Sequence, residues 1–179
     1  MNLFLNRLFR AAKLNTDLYQ EVISDAGTMF QAMMAVFVYS ASTAYGGFAR
    51  AGVAGINFAM ITTLIGWYIW AFSTYFIGTR LLSEDDIRTD RKAVLRAMGF
   101  ATAPGLFRLA GLIPDMAGIS FIISSIWIIA AAVLAVKLVL NFKSIYRAAG
   151  ACILGLIISI IFQGLMYISL LSVFGIPNQ

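Results

Sequence analysis

The sequence predicts an all-α, polytopic membrane helix bundle: five transmembrane helices behind a short amino-terminal amphipathic helix. Three observations lead there. Of 179 residues, 61% are hydrophobic and only 12% are charged, whereas an ordinary soluble domain is about 45–50% apolar and about 25% charged. A chain this short leaves much of its surface wet and cannot hide so much apolar side chain in one soluble core. The apolar residues also fall in continuous runs close to the ~20 residues that a helix needs to cross the hydrocarbon core, not in the alternation of a β-barrel.

The amino-terminal helix is expected over residues 3–13. Phe4, Leu5, Leu8, Phe9 and Ala12 recur at helical spacing, with Asn6, Arg7, Arg10 and Lys13 on the other side. Such a helix lies in the headgroup region with its basic face toward lipid phosphates, or packs on the chain's own cytoplasmic loops. Residues 1–27 form a cytoplasmic amphipathic and juxtamembrane segment in this reading, and 28–175 the membrane domain. The first apolar run begins near Met29, after Asp17, Glu21 and Asp25, so it reads as a retained span. A cleavable signal starts short and basic.

Five spans are expected at 28–49, 54–79, 98–113, 117–139 and 149–174. The third is short and broken. It contains Gly99-Phe100-Ala101-Thr102-Ala103-Pro104-Gly105; proline removes a backbone donor and clashes with the preceding turn, so a kink or break belongs near Pro104. Non-helical backbone at that depth must be covered by protein or line a wet cavity. The one sizeable polar connection, 80–97, carries an acidic run at 83–86, and Thr89 or Asp90 is placed to cap a helix leading into the third span.

Orientation follows from Lys and Arg. Three lie before the first span, five in the 80–97 connection, and Lys137, Lys143 and Arg147 beside the fourth connection. Of thirteen in all, only Arg50 and Arg108 remain for the opposite side. This bias places the amino terminus in the cytoplasm, and an odd number of spans puts the carboxyl terminus outside.

Several function classes are excluded. Net charge is +5, but no soluble basic face exists to bind nucleic acid. Histidine is absent, which removes the commonest metal ligand and the usual general base; no catalytic, metal or cofactor-binding residue is expected. Cys152 is the single cysteine, so no intramolecular disulfide forms. No glycine-rich run precedes a Lys-Ser or Lys-Thr pair.

The remaining candidates are few. Asp17, Glu21 and Asp25 recur every four residues after Lys13. They form the solvated stripe of a juxtamembrane helix, or a docking stripe for a basic partner or for the chain's own basic loops. Gly99, Phe100, Pro104 and Gly105 mark the helix break, and broken helices also mark transporter sites. Arg108 is an intramembrane charge near the outer end of the third span, hence a functional candidate; snorkelling to the interface or pairing with Asp115 is favoured over an anion pathway. Asn57 and Gln163 can bridge helices by hydrogen bonds. Ser40 with Ala44, Ser42 with Gly46, Ala101 with Gly105 and Ala131 with Ala135 have close-packing spacing. Trp67, Trp70 and Trp127 sit near mid-span, where they pack the bundle or meet a partner helix.

Asp17-Leu18-Tyr19-Gln20-Glu21-Val22 ahead of five spans resembles the Yip family, the Ypt/Rab-interacting membrane proteins. Gly99-Phe100 with Pro104 is similar to that family's Gly-Tyr-x-x-x-Pro in the third span, with Phe in place of Tyr. Gln20-Glu21 stand where eukaryotic members carry Gly-Pro. Trp67-Tyr68-Ile69-Trp70-Ala71, Tyr75, Gly78-Thr79 and Arg147-Ala148 resemble the prokaryotic branch. The resemblance covers roughly 15–175. It implies a five-span protein with a cytoplasmic amino terminus, in a bacterial inner membrane for that branch. It also implies Asp17, Leu18, Tyr19, Glu21 and Asp25 as partner-docking residues.

The expected function is a non-enzymatic integral membrane protein that organises protein partners or lipids, as a membrane scaffold, a trafficking-like protein or an accessory subunit of a larger complex. Its expected partners are membrane lipids and other membrane proteins. The alternative is a small oligomeric transporter or channel built on the broken third helix. An intramembrane enzyme is the weakest reading.

Overall fold

The computed structural model describes residues 3–48, 52–82 and 89–174. Among the described residues seven α-helices follow in order: α1 (Leu3–Ala12), α2 (Thr16–Ser24), α3 (Met29–Phe48), α4 (Gly52–Arg80), α5 (Arg91–Phe100), α6 (Ala117–Val139) and α7 (Ile145–Phe174). A 3₁₀ turn at Ala26–Thr28 precedes α3, and a 3₁₀ segment at Ala103–Leu112 follows α5. No strand occurs among the described residues. The acidic run 83–86, Arg50, Arg88 and residues 175–179 lie outside them.

Helices α4, α6 and α7 are each long and apolar enough to cross a membrane. Helices α2 and α3 pass that test only as a pair bent by 101°, which raises the candidates to four. α4 and α7 pack antiparallel. The Phe58 and Tyr167 rings meet with centroids 6.2 Å apart, the Ser159 hydroxyl donates to the Gly66 carbonyl at 2.7 Å, and the Trp70 indole donates to the Cys152 carbonyl at 2.9 Å. Trp67 donates to the Met98 carbonyl at 3.4 Å. Both tryptophans therefore pack the bundle, as their mid-span positions imply.

The third apolar run breaks instead of kinking. α5 stops at Phe100, the Thr102 hydroxyl turns back to the Gly99 carbonyl at 2.7 Å, and Pro104 opens the 3₁₀ segment. Proline suits a helical first turn, where its missing N–H is not needed. Ten residues of 3₁₀ is long, since runs beyond three or four are uncommon. The segment persists because α3 and α6 grip it from two sides. A Cβ on Gly46 of α3 would overlap the Arg108 carbonyl, and one on Gly105 would overlap the Tyr39 ring.

Local signals set the other ends. The Asn15 side chain accepts from the Leu18 N–H at 2.8 Å and caps α2, and the Asp25 carboxylate accepts from the Gly27 N–H at 2.8 Å. Asn141 takes the left-handed conformation (φ 51°) after α6, and the Phe142 N–H returns to the Lys137 carbonyl at 3.0 Å. Neither expected cap of α5 operates. Asp90 occupies the cap position without a side-chain bond, and the Thr89 hydroxyl donates to the Val139 carbonyl at 2.7 Å. An orphan carbonyl at the end of α6 takes the hydroxyl that the sequence reading assigned to α5.

The amino-terminal helices belong to the core. Leu8 and Ala11 of α1 and Leu18, Tyr19 and Val22 of α2 join the buried cluster that includes Phe100 and Val136. α1 packs on the 3₁₀ segment, α2 and α5, so its inner face meets other helices of the bundle. Trp127, ten residues into α6, donates to the Ala12 carbonyl at 2.8 Å. At 1.5 Å per residue that contact lies about 15 Å along α6, near its middle. Leu3, Leu5 and Phe9 are left facing outward.

Candidate functional site

Three arginines are buried to almost the same degree: Arg7 at 7% exposure, Arg96 at 6% and Arg108 at 8%. A buried cation is costly unless it is paired and hydrogen-bonded, so the partners distinguish the three.

Arg7 belongs to an ion-pair cluster that ties α1 to α2 and α3. Its Nε donates to Glu21 Oε1 at 2.8 Å and its Nη1 to Gln31 Oε1 at 2.8 Å, with Nη2 2.6 Å from Glu21 Oε1. Arg10 Nη1 reaches Glu21 Oε2 at 2.8 Å, and Asp25 lies 3.8 Å from Arg7. The predicted docking stripe is thereby split. Glu21 is held by the chain's own basic helix, and Asp25 is shared between a cap and Arg7. Leu18 and Tyr19 are fully buried, because they form the inner face of α2, and offer nothing to a partner. Only Asp17 of the stripe remains exposed without such a bond.

Arg96 of α5 is satisfied by backbone. Its Nε donates to the Val22 carbonyl at 2.8 Å and its Nη2 to the Ile23 carbonyl at 2.6 Å. These carbonyls close the last turn of α2, where the helix carries partial negative charge.

Arg108 differs from both. Its Nε donates to Ser124 Oγ at 3.1 Å, its Nη1 to Tyr39 Oη at 3.2 Å and Thr43 Oγ1 at 2.9 Å, and its Nη2 to Ser125 Oγ at 3.0 Å. The guanidinium carbon lies 5.1 Å from the Tyr39 ring centroid and 4.5 Å from that of Phe121. Among the described residues no carboxylate lies within ion-pair distance of it. The expected snorkelling and the expected Asp115 pair are both overturned. The 3₁₀ segment, wedged between α3 and α6, directs Arg108 inward onto a ring of hydroxyls.

The ring forms one wall of a cavity of about 470 Å³. Tyr39, Arg108 and Ser125 stand on the wall made by α3, the 3₁₀ segment and α6. Trp67, Trp70 and Gln163 stand on the wall made by α4 and α7. Phe121 of α6 and Ile160 of α7 also line the cavity and are more than half exposed, so it opens between those two helices. Gln163 Nε2 donates to Ser159 Oγ at 3.1 Å, and a Cβ on Gly66 would overlap its amide. Gln163 thus bridges α7 to α4 through Ser159, as its mid-span position implies, whereas Asn57 is exposed on α4.

The four residues predicted at the helix break do not line the cavity; they hold its wall. Gly99 packs against the Ala32 backbone, Phe100 and Pro104 are buried, and Gly105 seats the Tyr39 ring. Tyr39, Thr43, Ser124 and Ser125 were not singled out from sequence. The adjacent pair Ser124-Ser125, set in an otherwise apolar run, was the available signal. No protein-family model, curated protein or solved structure matches the chain.

Proposed function

We propose that the chain is a non-enzymatic, multi-pass membrane protein that organises lipid by holding an anionic lipid group at Arg108. The observation that carries this reading is a buried guanidinium whose partners are all neutral hydroxyls, beside a cavity that opens through the side of an apolar bundle. Ionisable groups at bilayer depth are expensive and mark ligand or ion sites. In a low-dielectric interior, an anion is the partner such a cation lacks.

The reading takes the chain across the membrane five times. The third crossing is the broken run 98–113, in which the end of α5 leads into the 3₁₀ segment. The amino terminus is cytoplasmic and the carboxyl terminus outside, in a bacterial inner membrane, as the charge bias and the resemblance to the prokaryotic Yip branch support. Exposed Phe72, Ile126 and Ile161 on α4, α6 and α7 suit lipid or the helices of other membrane proteins.

The test compares the wild type with Arg108→Met. Each is purified in mild detergent from phosphatidylcholine vesicles containing phosphatidylglycerol or oleate and examined by native mass spectrometry. Wild type retaining an anionic species over phosphatidylcholine, with the variant losing it, is the expected result. Equal retention by both proteins would end the reading.

A second reading, a small oligomeric transporter, is favoured by one observation: non-α backbone lies beside the cavity, the arrangement found at transporter sites. Flux of an anion into liposomes that Arg108→Met abolishes would support it; no flux from either protein would dismiss it.

A further inference from the structure

The hydrogen bonds around Arg108 specify more than an anion. This step rests on the proposed reading of Arg108 as an anion site and concerns which anion it takes. A guanidinium has five N–H groups, and four are used by Ser124, Tyr39, Thr43 and Ser125. One Nη2 hydrogen is left. The hydroxyls that accept from Arg108 fall into two kinds. Ser124 passes its own proton to the Phe121 carbonyl at 3.0 Å, and Thr43 to the Tyr39 carbonyl at 3.0 Å. Tyr39 Oη and Ser125 Oγ have no acceptor among the described residues, and both line the cavity. Three donors on residues lining the cavity are therefore left without an acceptor among the described residues: one guanidinium N–H, one phenol and one serine hydroxyl.

The opposite wall has the reverse character. Thr63 commits its proton to the Ala59 carbonyl at 2.7 Å and Ser159 to the Gly66 carbonyl at 2.7 Å, while the Gln163 amide nitrogen donates to both the hydroxyl (3.1 Å) and the carbonyl (3.4 Å) of Ser159. What these groups leave free is lone pairs. The cavity is polarised, donors on one wall and acceptors on the other, so an anion is drawn to the Arg108 wall and repelled from the other.

Among the described residues Arg108 is the one charged side chain lining the cavity. One cation in a low-dielectric cavity balances one negative charge; a second would sit there uncompensated, at high cost. The volume of about 470 Å³ holds roughly 15 groups of water size, at about 30 Å³ each. The rim of Phe121 and Ile160 is apolar. We infer that the site selects a monoanionic, single-chain amphiphile, its oxyanion bound by Arg108 Nη2, Tyr39 Oη and Ser125 Oγ, and its chain leaving between α6 and α7. Tyr39 and Ser125 are thereby specificity-determining residues, and Ser124, next to Ser125, is not.

The test measures binding of three probes that share one alkyl chain: myristate, tetradecyl phosphate and tetradecanol. All are used in the same detergent at about pH 8, where the phosphate monoester carries close to two charges. Myristate is expected to bind about tenfold or more tighter than tetradecyl phosphate, and tetradecanol weakest. Tyr39→Phe and Ser125→Ala should each weaken myristate about tenfold, the worth of one charge-assisted hydrogen bond. Ser120→Ala, one turn earlier on α6 and outside the cavity lining, should change it less than about threefold. Thermal melts of all variants report folding. Equal or tighter binding of the dianion, or equal effects at Ser120 and Ser125, would overturn the inference while leaving the anion site standing. If neither anion binds better than tetradecanol, or if Arg108→Met binds myristate as well as wild type does, both fall together.

Discussion

Arg96 and Arg108 lie twelve residues apart on either side of the same helix break and are equally buried, yet they are satisfied in opposite ways. Arg96 meets the carbonyl end of α2, and Arg7, on α1, meets Glu21. Each of these is closed, with its charge met by groups of opposite polarity from another segment of the chain. Arg108 meets hydroxyls and the Tyr39 and Phe121 rings, with no counter-charge among the described residues, and borders a cavity. Burial alone therefore does not separate an arginine that holds the fold from one that serves a ligand. The polarity of its partners does, because closed pairs stabilise the folded state whereas an open cation waits for a counter-charge.

That contrast is open to test, and the largest effect belongs to Arg96. Arg96→Ala removes the two charge-assisted bonds that tie α5 to the last turn of α2; with such bonds at about 1.5–3 kcal/mol each, a loss of about 3–5 kcal/mol is expected, read as a large fall in Tm in detergent. A loss under about 1 kcal/mol would show that the closed pair holds nothing. Gly46→Ala comes next. Its Cβ would overlap the Arg108 carbonyl, and overpacking of this kind costs about 1–3 kcal/mol. It should also weaken binding of myristate by moving the 3₁₀ segment, so a variant that melts and binds like wild type would contradict the tight α3 contact.

Glu21→Gln should cost about 1–2 kcal/mol. Removing the partner of a buried cation is expensive, but the Glu21 side chain is 34% exposed and solvent screens part of the loss. A double-mutant cycle with Arg7→Met checks the pairing: a coupling near zero would sink the cluster as a structural clamp. The smallest stability effect is expected for Arg108→Met, within about 1 kcal/mol in either direction, since the lost hydrogen bonds and ring contacts are offset by relief of the desolvation cost of a buried ion without a counter-charge. Ser124 and Thr43 keep their carbonyl acceptors in that variant. A melt depressed as far as that of Arg96→Ala would erase the distinction between the two arginines.

Much of the scaffold was legible. Expected spans at 54–79 and 117–139 correspond to helices at Gly52–Arg80 and Ala117–Val139, and 149–174 lies within Ile145–Phe174. Continuous apolar runs are local information, and helix caps and breakers are local too. The break near Pro104 was legible for the same reason, but its outcome was not. Whether a proline-interrupted helix kinks or re-forms as 3₁₀ depends on what flanks it, and here α3 and α6 do. The charged stripe on α2 drew attention to Asp17, Glu21 and Asp25, although the same helix carries Leu18, Tyr19 and Val22 as an apolar face. Burying that face turned Glu21 toward α1.

The sequence by itself determined that the chain is helical, that several of its runs are long and apolar enough for a bilayer, and that Arg108 falls inside a shorter, broken one, because composition and periodicity are properties of neighbouring residues. Only the tertiary structure decided that Arg108 turns inward to Tyr39, Thr43, Ser124 and Ser125. Those partners lie 16 to 69 residues away along the chain, and the polarity of a cavity arises from side chains that meet only when separate helices pack.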